Sequence, residues 1–438
     1  MPQGQAFAAH ARATKGFQHY FRDRNIDGQG VSCLFSVRIF WKESRMRTYV
    51  RASAPAGARC LPRNYFFSDE IYRKEEAKIF RRSWMVVGHQ SQIISPGSYF
   101  QTSIAGENLF VVRNEENQIR AYRNFCTHKG HVLAEKPSGR FDHGCMVCPY
   151  HGYNFNLADG TLHSAKGLDP KLFHRYPLAR VALEIWDGLI LVNLDPHPKS
   201  FLGQFPMLQG KFAEWKLGEL QCPPRAIIDY VLDTNWKIPY QNYSECFHCP
   251  MIHKALVKLS PPTSGVNDLT RGAILGGPMD LREGVQTLTD TGQTNRQPIP
   301  GLSSENQGRV YYYTIFPTAF LSLHPDYVMV HILRPMGVAK THIRCMWLFH
   351  PSELNKAEFS PSDAMSFWDN VNKEDWKACE NCQVGMTSEA YRPGPYVSSE
   401  GLSWAFDQHY LSQLSLLHAA AAYCRSKWNG AFGRWLTV

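Results

Sequence analysis

The chain has 438 residues, 44% of them hydrophobic and 19% charged, with a formal net charge of +9. That length allows two or three domains, each burying a core of its own. Ordinary glycine (32) and proline (27) levels exclude a collagen-like or broadly disordered chain, and a mean hydropathy of −0.34 fits a soluble globular protein. No apolar run approaches the roughly 18 residues of a membrane-spanning helix, so no membrane association is expected.

The positive charge is unevenly placed. Residues 1–60 hold ten Lys/Arg against three acids, a local balance of +7 that leaves +2 for the rest. A nucleic-acid surface should be built into the folded part, so no nucleic-acid partner is expected. The basic leader reads as a disordered tail, as upstream sequence ahead of Met46, or as an organelle transit segment. The expected location is cytoplasmic, or an organelle matrix or stroma on the last of these readings. Twelve cysteines are too sparse for a disulfide scaffold, and their clustering near histidines points to metal chemistry in a reducing compartment.

From Cys60 onward the chain reads as folded. Residues 61–83 form a lead-in, with Ser68 capping a helix that begins near Asp69. A β-rich domain is expected over 84–200. Leu109–Arg113 and Gln118–Tyr122 flank a four-residue turn, Pro96-Gly97 marks another, and Ile185–Leu194 is a hairpin interrupted by Asp187-Gly188. A second domain is expected over 201–415. It has a long helical pattern near 236–258, strands at Val310–Phe316 and His342–Phe349, and a helix over 363–388. Residues 260–308, rich in Gly, Pro, Ser and Thr, read as a long loop of the kind that is usually functional or disordered. Leu414–Cys424 is helical in character, and 416–438 is a tail whose pattern connects to no site.

Two constellations carry chemistry. Cys126-Thr127-His128 is followed, after nineteen intervening residues (129–147), by Cys148-Pro149-Tyr150-His151. Each half offers a thiolate and an imidazole. Four such ligands suit one zinc, or a two-iron cluster with two thiolates on one iron and two imidazoles on the other. Zinc fingers usually separate Cys-Cys and His-His halves, which disfavours zinc. Cys145 lies in the gap without a following His, and His131 and His143 read as loop or surface residues.

The strings NFCTHKGHVL and CPYHGYNF resemble the Rieske [2Fe–2S] signature. The resemblance implies Cys126 and Cys148 on one iron and His128 and His151 on the other. His131 and Tyr150 stand where respiratory-type Rieske proteins carry a further disulfide, which is similar to the oxygenase type.

The second constellation lies in NWKIPYQNYSECFHCPMIHKAL. Glu245 and His248 are three residues apart, a helix-face spacing. His253 lies five past His248, and Pro250 between them allows a kink that brings both rings to one metal. Two histidines need a carboxylate to complete the facial triad of a non-haem iron site, whose open positions accept dioxygen. Phe367, Val371, Asp375, Ala378 and Cys382 share a helix face, and an acid there is costly to bury unless it pairs or binds metal. Asp375 is the expected third ligand, with Asp369 in reserve.

Together these segments resemble the alpha subunit of Rieske non-haem iron oxygenases over roughly 60–415. ECFHCPMIHK and YRPGPY (391–396) look closest to the choline, glycine betaine and carnitine monooxygenase branch. The resemblance implies an α+β chain: an N-terminal β-rich Rieske domain, then a helix-grip catalytic domain of antiparallel sheet plus long helix. Its cofactors would be one [2Fe–2S] cluster and one mononuclear Fe(II) on His248, His253 and Asp375. NAD(P)H would act indirectly, through a flavin/iron–sulfur reductase or ferredoxin. It further implies a homotrimer in which Glu245 bridges one subunit's Rieske imidazole and its neighbour's iron site.

The substrate then expected is a small quaternary ammonium compound, hydroxylated in a choline oxidation or an N-demethylation. Aromatic faces hold such a cation, and Tyr243, Phe247, Tyr311 and Tyr313 are candidates, with Tyr312 and Phe316 in the same run of rings. The alternative is an aromatic-ring hydroxylase, for which Arg271, Arg282 or Arg334 would hold a carboxylated ring.

Overall fold

The computed structural model describes residues 48–415. Residues 1–47 of the expected 1–60 leader and the expected tail, 416–438, lie outside the described residues, as does nearly all of the Leu414–Cys424 helix.

The leader boundary expected at 60 is corrected, because residues 48–60 run along the catalytic domain. Val50 pairs with Asn267 and Arg59 with Pro395 in isolated antiparallel bridges, and Ala54 is buried. These extended residues satisfy their backbone polar groups on neighbouring chain, which basic composition does not reveal.

Ser68 caps the lead-in helix α1 (Asp69–Glu75) by accepting from the Ile71 N–H at 3.3 Å, satisfying one of the first-turn donors. The first domain holds ten strands: β1 (Met85–His89), β2 (Ser98–Ile104), β3 (Glu107–Arg113), β4 (Ile119–Arg123), β5 (Ser138–Arg140), β6 (Cys145–Val147), β7 (Asn154–Asn156), β8 (Leu162–Ser164), β9 (Arg180–Trp186) and β10 (Leu189–Asn193). Seven form an antiparallel sheet in the order β1-β10-β9-β4-β3-β2-β5, and β6-β7-β8 form a smaller one. The β9–β10 hairpin turns on Asp187 (φ 46°) and Gly188 (φ 81°), the doubly left-handed pair that matches strand twist.

The second domain is a six-stranded antiparallel sheet in the order β11-β16-β15-β14-β13-β12. Its strands are β11 (Ile227–Leu232), β12 (Ile274–Asp280), β13 (Arg309–Ile315), β14 (Ala319–Leu323), β15 (Val328–Gly337) and β16 (Lys340–Leu348). Side chains alternate across this sheet with period two. Phe320, Met329, Leu333, Ile343, Cys345 and Trp347 share a core with the 25-residue helix Ser362–Met386. Tyr311, Tyr313, Leu321, Val330, Ile332 and Met346 pack on the opposite side against Phe201, Phe212, Trp215 and Leu217 from the connecting segment.

Two sequence expectations are revised. The region 260–308 contains the edge strand β12, whose Gly276, Gly277 and Pro278 hid it from strand propensity. Gly276 has φ +148°, and a Cβ there would meet the Tyr312 carbonyl oxygen at 2.0 Å. The single long helix near 236–258 is three short ones, Lys237–Tyr243, Cys249–Ile252 and Leu256–Leu259. Pro250 opens the second of these.

A buried polar hub holds this broken segment in place. Glu75, fully buried on α1, accepts from Lys237 Nζ at 2.6 Å, Trp236 Nε1 at 2.9 Å and Tyr410 Oη at 2.5 Å. Lys237 opens the helix Lys237–Tyr243 that leads into the site residues, and Tyr410 belongs to the helix over residues 401–415. Three elements distant in sequence are thereby tied at one carboxylate.

Candidate active site: two donor clusters and a cavity

The loops carrying Cys126/His128 and Cys148/His151 are built alike. In each, the cysteine N–H donates five residues ahead, Cys126 to the His131 carbonyl (2.8 Å) and Cys148 to the Tyr153 carbonyl (2.7 Å). In each, a left-handed glycine four residues after the cysteine donates back to the cysteine carbonyl, Gly130 at 2.9 Å and Gly152 at 3.0 Å. Only glycine adopts that conformation without strain, and the turn leaves both donor side chains at the loop tips. The cysteines are buried and the histidines exposed, with the two imidazole centroids 4.7 Å apart. Burial and the neighbouring Cys148 sulfur push the Cys126 thiol up. Cys145 sits on β6, His143 is exposed, and the His131 ring nitrogen bonds the Val132 carbonyl. The donor set fits a two-iron cluster with its imidazole-bound iron outermost.

At the second cluster, His253 Nε2 lies 2.9 Å and His248 Nε2 3.4 Å from the same Asp375 oxygen. The opposite nitrogens are each held by a glutamate, His248 Nδ1 by Glu245 at 2.6 Å and His253 Nδ1 by Glu374 at 2.7 Å. Glu245 and His248 sit in the bend between two helices, where the expectation placed them on one helical face; their contact survives there, with Glu245 also accepting from the Phe247 and His248 N–H groups. Burial alone would lower the His248 imidazole, but Asp375 and Glu245 outweigh it and hold it up at about 10. His253 is raised in the same way, and Asp375 is kept low against its burial by the two imidazoles. Protons on the rings thus stand where a metal cation fits, and two nitrogens and a carboxylate converge as a facial triad requires.

Asp375 is 16% exposed at the edge of the helix's apolar face. That face runs through Phe367, Trp368, Val371, Trp376 and Cys379, while Cys382, expected on it, is exposed. Asp369 accepts from Tyr230 and Lys373 instead of approaching an imidazole. Glu374 was missed in the sequence because an acid on a helix rich in acids carries no pattern of its own.

A cavity of about 820 Å³ opens onto His248, His253 and Asp375. Of the expected cation-binding rings, Tyr243 and Phe247 line it, but Tyr311 and Tyr313 do not. They project to the other side of β13, where Tyr311 donates to Asn306 and Tyr313 to Asp268. Tyr312, between them, faces the cavity. Tyr312 meets Tyr243 edge-on at 6.1 Å and Trp368 at 6.3 Å, so three rings form one corner. Among the candidate arginines, Arg271, Arg282 and Arg334 do not line this cavity, whereas Arg51, from the expected leader, does.

Comparison with known proteins agrees with this layout. Residues 83–180 match the Rieske [2Fe-2S] domain, and residues 221–416 match the ring hydroxylating alpha subunit (catalytic domain). The chain is a Rieske non-haem iron oxygenase alpha subunit, an oxidoreductase whose cofactors are a [2Fe–2S] cluster and a mononuclear iron supplied with electrons by a reductase or ferredoxin. Within that class it is 24% identical over 372 residues to the glycine betaine monooxygenase oxygenase subunit of Chromohalobacter salexigens, covering 78% of this chain and 82% of the relative. A quaternary ammonium Rieske monooxygenase structure, studied for carnitine oxidation, has a TM-score of 0.69 at 21% identity, covering 82% of this chain and 95% of that one. A naphthalene 1,2-dioxygenase from Rhodococcus sp. has a TM-score of 0.66 at 18% identity, covering 81% and 94%. At such identities the two structures share the fold, and the fold alone does not choose a substrate.

Proposed function

We propose that this oxygenase hydroxylates a carbon of a small quaternary ammonium compound, using O₂ and reductase-supplied electrons. The observation that carries the reading is the aromatic corner of Tyr243, Tyr312 and Trp368 in the cavity that reaches His248, His253 and Asp375. Ring faces attract a cation that has no N–H to donate, each contributing about 0.5–2 kcal/mol. The Glu245 carboxylate, which also lines the cavity, adds to the preference for positive charge.

His248, His253 and Asp375 would hold the iron, which when bound supplies open positions at which dioxygen is used. Glu245 and Glu374 accept from the far nitrogens of the imidazoles and so fix ring orientation. The aromatic corner orients the substrate's methyl groups toward those three donors. Hydroxylation at an N-methyl carbon gives a carbinolamine that collapses to formaldehyde and a tertiary amine; at the carbinol carbon of choline it gives the aldehyde hydrate. Cys126, Cys148, His128 and His151 would hold the cluster. In a homotrimer, Glu245 would link one subunit's exposed Rieske imidazole to its neighbour's His248.

The test is Tyr312→Leu assayed on a cation and its uncharged tert-butyl isostere. The cage reading expects KM for the cation to rise roughly two- to thirty-fold with little change for the isostere. An equal rise for both would remove it.

A further inference from the structure

The two cysteines of Cys246-Phe247-His248-Cys249 are not used by the chemistry above, and their sulfurs are bonded to each other. The bridge encloses His248 in its four-residue loop, with the two Cα atoms 5.0 Å apart. We propose that Cys246 and Cys249 are a redox-active pair that decides which metal this site holds, an inference that rests on His248 and His253 being metal ligands.

The geometry places the sulfur of Cys249 3.8 Å from His248 Nε2. That sulfur and ligand nitrogens of His248 and His253 all lie within 4.8 Å of one another. In the disulfide, the sulfur is bonded to its partner, and the site offers two imidazoles and the Asp375 carboxylate, a set suited to ferrous iron. In the dithiol, Cys249 adds a soft sulfur donor. Two imidazoles, one sulfur and one carboxylate make a four-ligand tetrahedral zinc set, and both ligand softness and the ordering of divalent-metal affinities favour zinc over ferrous iron there. Zinc has no redox chemistry, so a zinc-loaded site accepts no electron from the cluster.

The pair is reachable. Cys246 is half-buried and both cysteines line the 820 Å³ cavity, whereas Cys222, Cys345 and Cys379 are buried and do not line it. Cys246 lies in the bend between helices, and Cys249 is the first residue of the helix Cys249–Ile252. The exchange uses two molecules of a small thiol. One attacks the Cys246 sulfur, breaking the S–S bond and releasing Cys249; the second displaces Cys246 from the mixed disulfide. Two electrons and two protons pass to the protein, and the small thiols leave as their own disulfide.

The experiment compares full-length wild type, Cys246→Ser and Cys249→Ser, each checked for an intact Rieske absorption spectrum. Differential alkylation with peptide mass mapping reads the bridge, and competition with a chromophoric chelator reads zinc and ferrous affinity, with and without a phosphine reductant. The proposal expects the Cys246–Cys249 peptide in air-oxidised wild type and zinc affinity about tenfold or more higher after reduction. It expects Cys246→Ser to bind zinc tightly with or without reductant, and Cys249→Ser weakly in both. Wild-type zinc affinity indifferent to reductant, or a reductant response retained in Cys249→Ser, would overturn it. Absence of ferrous as well as zinc binding in every form would instead remove the metal-site reading beneath it.

Discussion

Each imidazole at the mononuclear site divides its two nitrogens, one toward Asp375 and the other toward a glutamate. The two glutamates differ in surroundings. Glu374 is 45% exposed and does not line the cavity, whereas Glu245 is 11% exposed and stands at the cavity wall. Glu374→Ala should lower ferrous affinity about 10–100-fold, as loss of an outer-shell carboxylate does, and a chelator titration showing no change would contradict this. Glu245→Gln keeps an acceptor for His248 but loses the charge; both metal centres should fill, while electron transfer from cluster to iron stops. Unimpaired coupled turnover in that variant would falsify the bridging role. At this scale the sequence is informative where donors are local. Cys126/His128, Cys148/His151 and His248/His253 each lie within a few residues. It is least informative in the run Tyr311-Tyr312-Tyr313, since neighbouring strand residues face opposite ways and only pairing partners set the register.

At the level of elements, the site depends on how the segment 237–259 is anchored. Glu75 and Lys237 are both fully buried, and burial pulls the Lys237 ammonium down while Glu75 opposes it. Replacing one partner leaves an uncompensated buried charge. Glu75→Leu should cost about 3–5 kcal/mol in a urea titration, and Glu75→Leu with Lys237→Met less than the sum of the two singles. Additive losses would show that the pair is not coupled.

Asp407, on the helix over 401–415, accepts from Gln241 at 2.6 Å and Tyr396 at 2.7 Å. Burial nevertheless raises its carboxyl to about 7. With an unfolded value of about 3.9, the folded chain keeps a proton that the unfolded chain has released. Its contribution to stability is complete below pH 4 and is lost as pH rises through 7. Asp407→Asn should flatten the fall in stability between about pH 4 and 7, and an unchanged slope would exclude the assignment. None of these ties was legible in the sequence. Glu75 and Asp407 are single acids whose partners lie elsewhere in the chain, and β12 was concealed by glycines that its close approach to β13 requires.

For the whole molecule, the order of parts was legible because each domain carries two of its Cys or His donors as a local string and several strands as apolar runs between turn residues. The Asp187-Gly188 hairpin and the Ser68-capped helix lie where their residues direct them. The attachment of residues 48–60 was not, since extended segments that pair through their backbone leave no side-chain periodicity. His128 and His151 are exposed and Glu245 stands at the cavity wall, as the proposed crossing of electrons to a second copy would require. Among the described residues no helix is long and apolar enough to cross a membrane.

The proposed use of the cluster's electrons is hydroxylation of a quaternary ammonium compound. It is tested most directly by a single turnover of chemically reduced, iron-replete protein with ¹⁸O₂. The panel would be choline, glycine betaine, carnitine and several aromatic acids, with cluster oxidation followed by EPR and products by mass spectrometry. Formaldehyde or a labelled aldehyde from one of the cations is expected, formed as the cluster oxidises. Product from a ring compound alone would contradict it and move this chain to the aromatic-ring hydroxylases.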